Sequence, residues 1–275
     1  MGLLKQKVLI TVKTYPALSS TYAELVCTAG LTEDGRWIRI YPIPFRRLKD
    51  YYQFRKYTWI ELPLVKNCKD PRPESYHPAN LQEIQVLEPV GTTHQWQKRK
   101  EIVFRASIYS NMTALIEKAK KNVLSLAVFK PSKIKDFIWK EDDREWDEAK
   151  FRKAVQIFQQ KPLFTEEEYK DTFRFAPKLP YKFFYLFEDE EGRESKLMVE
   201  DWEAGALFWN CLKKEREEQA ALQKVKQKYL DSFQKNDLYF FLGTTRQWHQ
   251  ISPNPFLIVG VFYPPKSAQS ESLFS

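Results

Sequence analysis

AELVCTAGLTEDGRWIRIY, residues 23–41, sets the character of the first part of the chain. The run from Ala23 to Ala29 and the run Arg36-Trp37-Ile38-Arg39-Ile40-Tyr41 flank Glu33-Asp34-Gly35, and Asp-Gly supplies the residue that a tight turn needs at positive φ. This reads as a β-hairpin. Arg36 and Arg39 cannot both be buried, which predicts a wet face or a sheet edge for the second strand. Working outward, Val8-Leu9-Ile10-Thr11-Val12 is a strand before the hairpin. Tyr57 to Val65, interrupted by Pro63, is a strand after it, so the first 65 residues read as β-structure.

Beyond a Pro-rich loop at Lys69 to Pro78, a strand is expected from Leu81 to Val90, and residues 98–109 stay open between helix and strand. Residues 111–121 predict a short helix with Asn111 as N-cap, and Leu124 to Phe129 a strand stopped by Lys130-Pro131. From 141 the pattern turns helical and acidic, with Trp146, Ala149, Val155 and Phe158 on one face. Thr165 to Glu168 then matches a capping box. Residues 181–200 predict a hairpin turning at Asp189 to Gly192. Asp201 caps the longest expected helix, 202–235, in one piece or with a break near 215, burying Leu222, Val225, Tyr229 and Phe233. Strands at Leu238 to Leu242 and Phe256 to Phe262 close the chain.

The expected fold is α+β: a mostly antiparallel β-sheet or partly closed barrel with inserted helices and one long C-terminal helix, the last strand returning to the sheet begun by the first. One cooperative domain is expected over 1–275. Its sub-regions are a basic β-rich part (1–135), an acidic helical insertion (136–180), the hairpin, long helix and closing strands (181–265), and a polar tail (266–275). In overall rhythm the chain resembles the small closed barrels of the PUA and ASCH type.

With 275 residues, 43% hydrophobic and 15% aromatic, the chain can fill a sizeable core without metals or disulfides. Its three cysteines, Cys27, Cys68 and Cys211, form no CxxC pair, which points to a reducing cytoplasm. No signal peptide is indicated. The best apolar run, Phe256 to Tyr263, is far short of the roughly 20 residues of a membrane-spanning helix, so no membrane association is expected. Residues 1–135 hold 23 Lys and Arg against 11 Asp and Glu, whereas residues 136–275 hold 21 against 25. Opposite signs favour either a polyanion-binding first half or an electrostatic match between the halves.

Nucleic-acid binding is the first functional expectation. In PIPFRRLKDYYQFRK, residues 42–56, Arg46, Arg47, Lys49, Arg55 and Lys56 are candidate phosphate contacts, and Phe45, Tyr51, Tyr52 and Phe54 are candidate stacking surfaces. Lys98-Arg99-Lys100 after Trp96, and Lys118, Lys120 and Lys121, supply further charge. The opposing reading makes the aromatics core residues with solvated neighbours. Gly91-Thr92-Thr93-His94-Gln95-Trp96 and Gly243-Thr244-Thr245-Arg246-Gln247-Trp248 share five of six residues. They read as anion-binding loops through Thr92, Thr93, Thr244, Thr245 and Arg246, or as ordinary turns.

Two alternatives come from other classes. The acidic helices 141–175 and 202–235 could dock on a protein partner. A metal-dependent nuclease would use Asp189 or Glu188, Glu194 and Lys196, with Mg²⁺ as the only cofactor expected under any reading. His77, His94 and His249 are too scattered, like the cysteines, to suggest zinc or a Cys-His pair, and the balance leans away from an enzyme.

Overall fold

The computed structural model describes residues 4–19, 21–160 and 174–266. The first half forms β1 (Leu4–Lys13), β2 (Ala17–Ser19), β3 (Ala23–Leu31), β4 (Trp37–Ile43), β5 (Thr58–Lys66), β6 (Ser75–Pro78) and β7 (Gln85–Pro89). Because β1 pairs with both β3 and β5, the ring β1-β3-β4-β6-β5 closes into a five-stranded barrel, with β2 added to β3 and β7 to β5. Closure corrects the expectation of an edge strand at β4, which has β3 on one side and β6 on the other. Arg36 stays exposed before the strand, while Arg39 is buried and donates from Nη2 to the carbonyl and hydroxyl of Ser125 at 3.2 and 3.1 Å. Pro63 does not interrupt β5; it pairs opposite Lys5. The segment 81–90 is a 3-10 turn at Leu81–Glu83, with the Asn80 side chain accepting from Gln82 N–H, followed by β7.

The apolar run in β1 is continuous because both faces of the strand are buried. Val8 and Ile10 point into the barrel with Ile38, Ile40 and Ile60, whereas Leu9 and Val12 point out of it. Strict alternation would put Val12 on the Ile10 side. The β1–β3 register shifts between Ile10 and Val12, and this bulge turns Val12 outward and Lys13 inward to the barrel mouth. Gly30, opposite Ile10, is where the two strands crowd: a Cβ there would lie 2.1 Å from the Leu9 carbonyl oxygen.

The rest of the chain builds α1 (Thr93–Val103), β8 (Ile108–Tyr109), α2 (Met112–Lys120), β9 (Leu126–Phe129), β10 (Lys133–Glu141), α3 (Glu148–Gln160), β11 (Tyr181–Glu188), β12 (Glu194–Val199), α4 (Trp202–Glu215), α5 (Glu218–Lys226), β13 (Tyr239–Thr244) and β14 (Phe256–Phe262). Its strands form a separate sheet in the order β10-β11-β12-β14-β13-β9-β8. The closing strand therefore does not return to the sheet of the first. β14 pairs with β12 and β13 and meets β1 only face to face. One face of this sheet, through Val128, Phe241, Val259 and Phe262, covers Leu9, Val12 and Trp59 of the barrel. The other carries Phe183, Tyr185, Phe240 and Ile258 beneath Leu115 of α2, Phe208 of α4 and Leu222 and Val225 of α5. Burying each of these large side chains contributes about 1.5–3 kcal/mol.

The fold is thus α+β with a closed barrel and a second sheet, and the single long helix is replaced by two. Arg216 adopts a left-handed conformation (φ 58°), its N–H capping α4 at the Leu212 carbonyl, and α5 runs on into a π-helical turn at Gln227–Ser232. Both helices have an apolar face to bury on one sheet, which a straight 34-residue rod could not do. The helical pattern read from 141 begins only at Glu148, preceded by β10, which pairs with β11 along its length. Asn111 and Asp201 cap α2 and α4 as expected. The Thr165–Glu168 capping box lies outside the described residues. No helix among the described residues is long and apolar enough to cross a membrane.

Candidate functional site

The bulge in β1 delivers Lys13 to a cleft of about 330 Å³ where the barrel meets the second sheet. Arg55, Lys56 and Tyr57 enter from the turn before β5, Trp96 and Arg99 from α1, Trp202 and Glu203 from the first turn of α4, and Val261 and Tyr263 from the end of β14. Four cations and four aromatic rings share this space.

Its geometry is tightly held. The Arg99 guanidinium lies 3.9 Å from the Tyr57 ring centre and 5.0 Å from that of Trp96, and Arg99 Nε donates to the Val90 carbonyl at 2.8 Å. Lys13 Nζ sits 4.0 Å over Phe45 and 5.0 Å over Trp202, donating to the Phe54 carbonyl at 3.0 Å. Lys56, nearly buried, reaches Asp201 Oδ1 at 2.5 Å and Glu203 Oε2 at 3.3 Å, which pins the barrel to the start of α4. Tyr57 (φ 60°) and Trp96 (φ 63°) both hold left-handed backbone, a conformation that costs a non-glycine residue roughly 1–2 kcal/mol and collects at functional sites. The Tyr57 hydroxyl is buried without a hydrogen-bond partner among the described residues.

Burial and charge shift the protons here. Burial first, then the neighbouring Lys56, brings the Lys13 ammonium down to about 8. Burial also lowers Lys56, but Asp201 and Glu203 overcome it and hold its proton more tightly than usual. Burial raises Asp201 despite Lys56, pushes the Tyr57 phenol well up, and lowers Arg99.

Of the residues singled out in the sequence, this cleft gathers Arg55, Lys56 and Arg99. The rest of the 42–56 stretch is largely committed elsewhere. Phe45 and Phe54 meet edge to face at 5.0 Å in the barrel core. Arg46 forks onto Glu24 at 2.8 and 3.0 Å and reaches the Arg174 carbonyl. Arg47 is buried with its guanidinium 4.7 Å from the Phe158 ring of α3. Helix α3 and residues 174–176 thus lie on this side of the barrel. Lys49 is partly buried, and Tyr51 and Tyr52 lie side by side at 4.2 Å, Tyr51 exposed. Lys98 is exposed and Lys100 partly buried on α1, while Lys118 lies over Tyr109 and Lys120 and Lys121 are exposed.

The carboxylates read as nuclease candidates are held by neighbouring donors. Asp189 is buried and accepts from the N–H groups of Met112, Glu191 and Arg193 at 2.9–3.0 Å, organising the hairpin turn and the start of α2. Glu188 and Glu194 pair with Lys135, and Lys196 lies over Phe184. No group of three or more His, Cys, Asp and Glu side chains among the described residues is placed to hold a metal ion. Thr92 and Thr93 are exposed, Thr244 is buried, and Arg246 is exposed. Burial raises the thiols of Cys27 and Cys211.

Sequence reasoning missed Lys13, Tyr57, Trp202, Glu203 and Tyr263 as site residues. Lys13, a lysine ending an apolar strand, and Tyr57, next to the basic-aromatic stretch, carried a local signal; the other three reach the cleft only through the tertiary fold.

Comparison with known families divides the chain at the same seam. Residues 4–105 match one domain of unknown function, DUF8758, and residues 108–275 match another, DUF8757. The chain belongs to the DUF8757 family. The DUF8758 match spans the barrel and α1, the DUF8757 match the second sheet and its helices, and the cleft draws lining residues from both. No curated protein matches the chain.

Proposed function

We propose that the cleft binds one nucleotide unit of a nucleic-acid strand, its rings stacking on the base and its cations holding the flanking phosphates. The observation that carries this reading is the Arg99 guanidinium laid over Tyr57 beside Trp96, with Lys13 and Arg55 around the same 330 Å³. Neither Lys13, Arg55 nor Arg99 has a carboxylate within ion-pair distance among the described residues, so their charge is available to a ligand. Phosphate contacts release counterions, and aromatic faces accept any base. Free Cys27, Cys68 and Cys211 suit a reducing, cytoplasmic setting for the same role.

The test is titration of the whole protein with short single- and double-stranded RNA and DNA, followed through tryptophan fluorescence at several salt concentrations. Binding to a single strand should weaken with salt at a log-log slope of about −1.4 for the two phosphates that flank one nucleotide. Arg55→Glu with Arg99→Glu should cost at least about tenfold in affinity, equal to about 1.4 kcal/mol, across sequences. Arg46→Ala should change little, since Arg46 is held by Glu24. Absent or salt-insensitive binding at low ionic strength overturns the reading.

A further inference from the structure

Lys13 differs from the other cations of the cleft. The bulge in β1 turns it to the barrel mouth, where Phe45, Phe54 and Trp202 surround its amine and the Phe54 carbonyl is its one hydrogen-bond acceptor among the described residues. The two carboxylates facing it, Asp201 and Glu203 of α4, are both taken by Lys56. The other charged or titratable groups around it are Arg55 and Tyr57 before β5, Arg99 of α1 and Tyr263 after β14. A desolvated lysine beside a second cation gives up its proton readily, the arrangement that makes an amine nucleophilic.

We propose that Lys13 is an amine nucleophile that forms an imine with the aldehyde of a phosphate-bearing, ring-opened sugar held in the cleft. The proposal rests on the reading of the cleft as a site for a phosphate-bearing nucleotide unit. The neutral Nζ attacks the carbonyl carbon, a C–N bond forms, and the C=O π pair moves to oxygen, which takes a proton. The resulting carbinolamine loses its hydroxyl as water while nitrogen sheds its remaining proton, leaving C=N. The net change is amine plus aldehyde to imine plus water, and needs no oxidant or reductant. With its ammonium brought down to about 8, about a quarter of Lys13 is neutral at pH 7.5, against about one part in a thousand for an exposed lysine. The aldehyde could belong to an abasic position within a strand or to a free sugar phosphate.

The experiment incubates the full chain with 2-deoxyribose 5-phosphate in one arm and an oligonucleotide carrying a single abasic position in the other. The imine is reduced with cyanoborohydride and the modified lysines are mapped by peptide mass spectrometry. Labelling at Lys13 should run at least about tenfold faster than at the exposed Lys98 and Lys214, with a pH midpoint near 8. Lys13→Arg, checked for folding by circular dichroism, should remove the fast labelling. Trapping in either arm supports the nucleophile and identifies its source. Labelling of Lys13 no faster than Lys98 and Lys214 in both arms overturns it without requiring any variant to fold. Binding of an intact oligonucleotide in the same preparation separates the two ideas: binding without fast trapping sinks the nucleophile alone. Fast trapping of the sugar phosphate without oligonucleotide binding sinks the nucleic-acid reading and keeps the nucleophile.

Discussion

The loops 91–96 and 243–248 differ only at His94 and Arg246, yet the fold uses them in opposite ways. In the first, Gly91 to Gln95 are exposed, and His94, Gln95 and Trp96 run through three consecutive left-handed conformations. That twist carries Trp96 under Arg99 and to 5.0 Å from Tyr263 at the cleft. In the second, Gly243 and Thr244 are the buried end of β13. The Thr244 carbonyl accepts from Arg72, its hydroxyl meets His249 at 2.9 Å, and Trp248 is left half-exposed. One loop carries a ring into the cleft, and the other begins in a buried joint between barrel and second sheet. Identical residues take their roles from the strand position they follow and from which arginine lies opposite.

The joint should be the costlier to break. Arg72 forks onto Asp70 from Nε and Nη2, and Ser75 adds its hydroxyl. Burial opposes ionisation of Asp70, but these donors overcome it and bring the carboxyl down to about 2. Arg72→Ala strands that carboxylate and frees Thr244, so we expect a loss of about 3–5 kcal/mol in denaturant unfolding. A loss below 1 kcal/mol would mean that the joint is not buried as described. The cleft loop should instead answer in binding. Trp96→Ala removes a stacking face and should weaken single-strand binding by about 1–3 kcal/mol, whereas Trp248→Ala, the matching position, should leave it unchanged. Equal losses at both positions would erase the distinction between the loops.

Much of the fold could be read from local pattern, and what could not be read was tertiary. The hairpin at 23–41, the caps at Asn111 and Asp201 and the turn at Asp189 to Gly192 are short-range chemistry, and each forms. The closing of β1 onto β5 and the division into two sheets depend on partners far along the chain, whereas the break at Arg216 falls where a break near 215 was one of the two expectations. The site was legible in part for the same reason. Clustered charge at 42–56 was visible, but only the fold shows that Arg46 and Arg47 turn to Glu24 and Phe158 while Arg55 and Lys56 reach the cleft. Lys13 depends on a one-residue bulge, which no periodicity announces.

The smallest expected effect separates the loops by pH. Asn122 Nδ2 donates to the Pro71 carbonyl, so its Oδ1 faces His249 and accepts from Nε2–H, while Nδ1 meets the Thr244 hydroxyl, which donates to the neutral ring and accepts from the protonated one. Burial first, and Arg72 second, lower the His249 imidazole below its ordinary 6.5. A histidine with a depressed folded-state value binds fewer protons folded than unfolded between the two values. Its contribution is therefore complete above about pH 6.5, is lost as the pH falls through the folded value, and declines no further below it. Unfolding measured from pH 7.5 to 5 should show that loss in the native chain and a flatter profile in His249→Gln. A slope in His249→Gln as steep as in the native chain would mean that the buried joint is not where the proton acts.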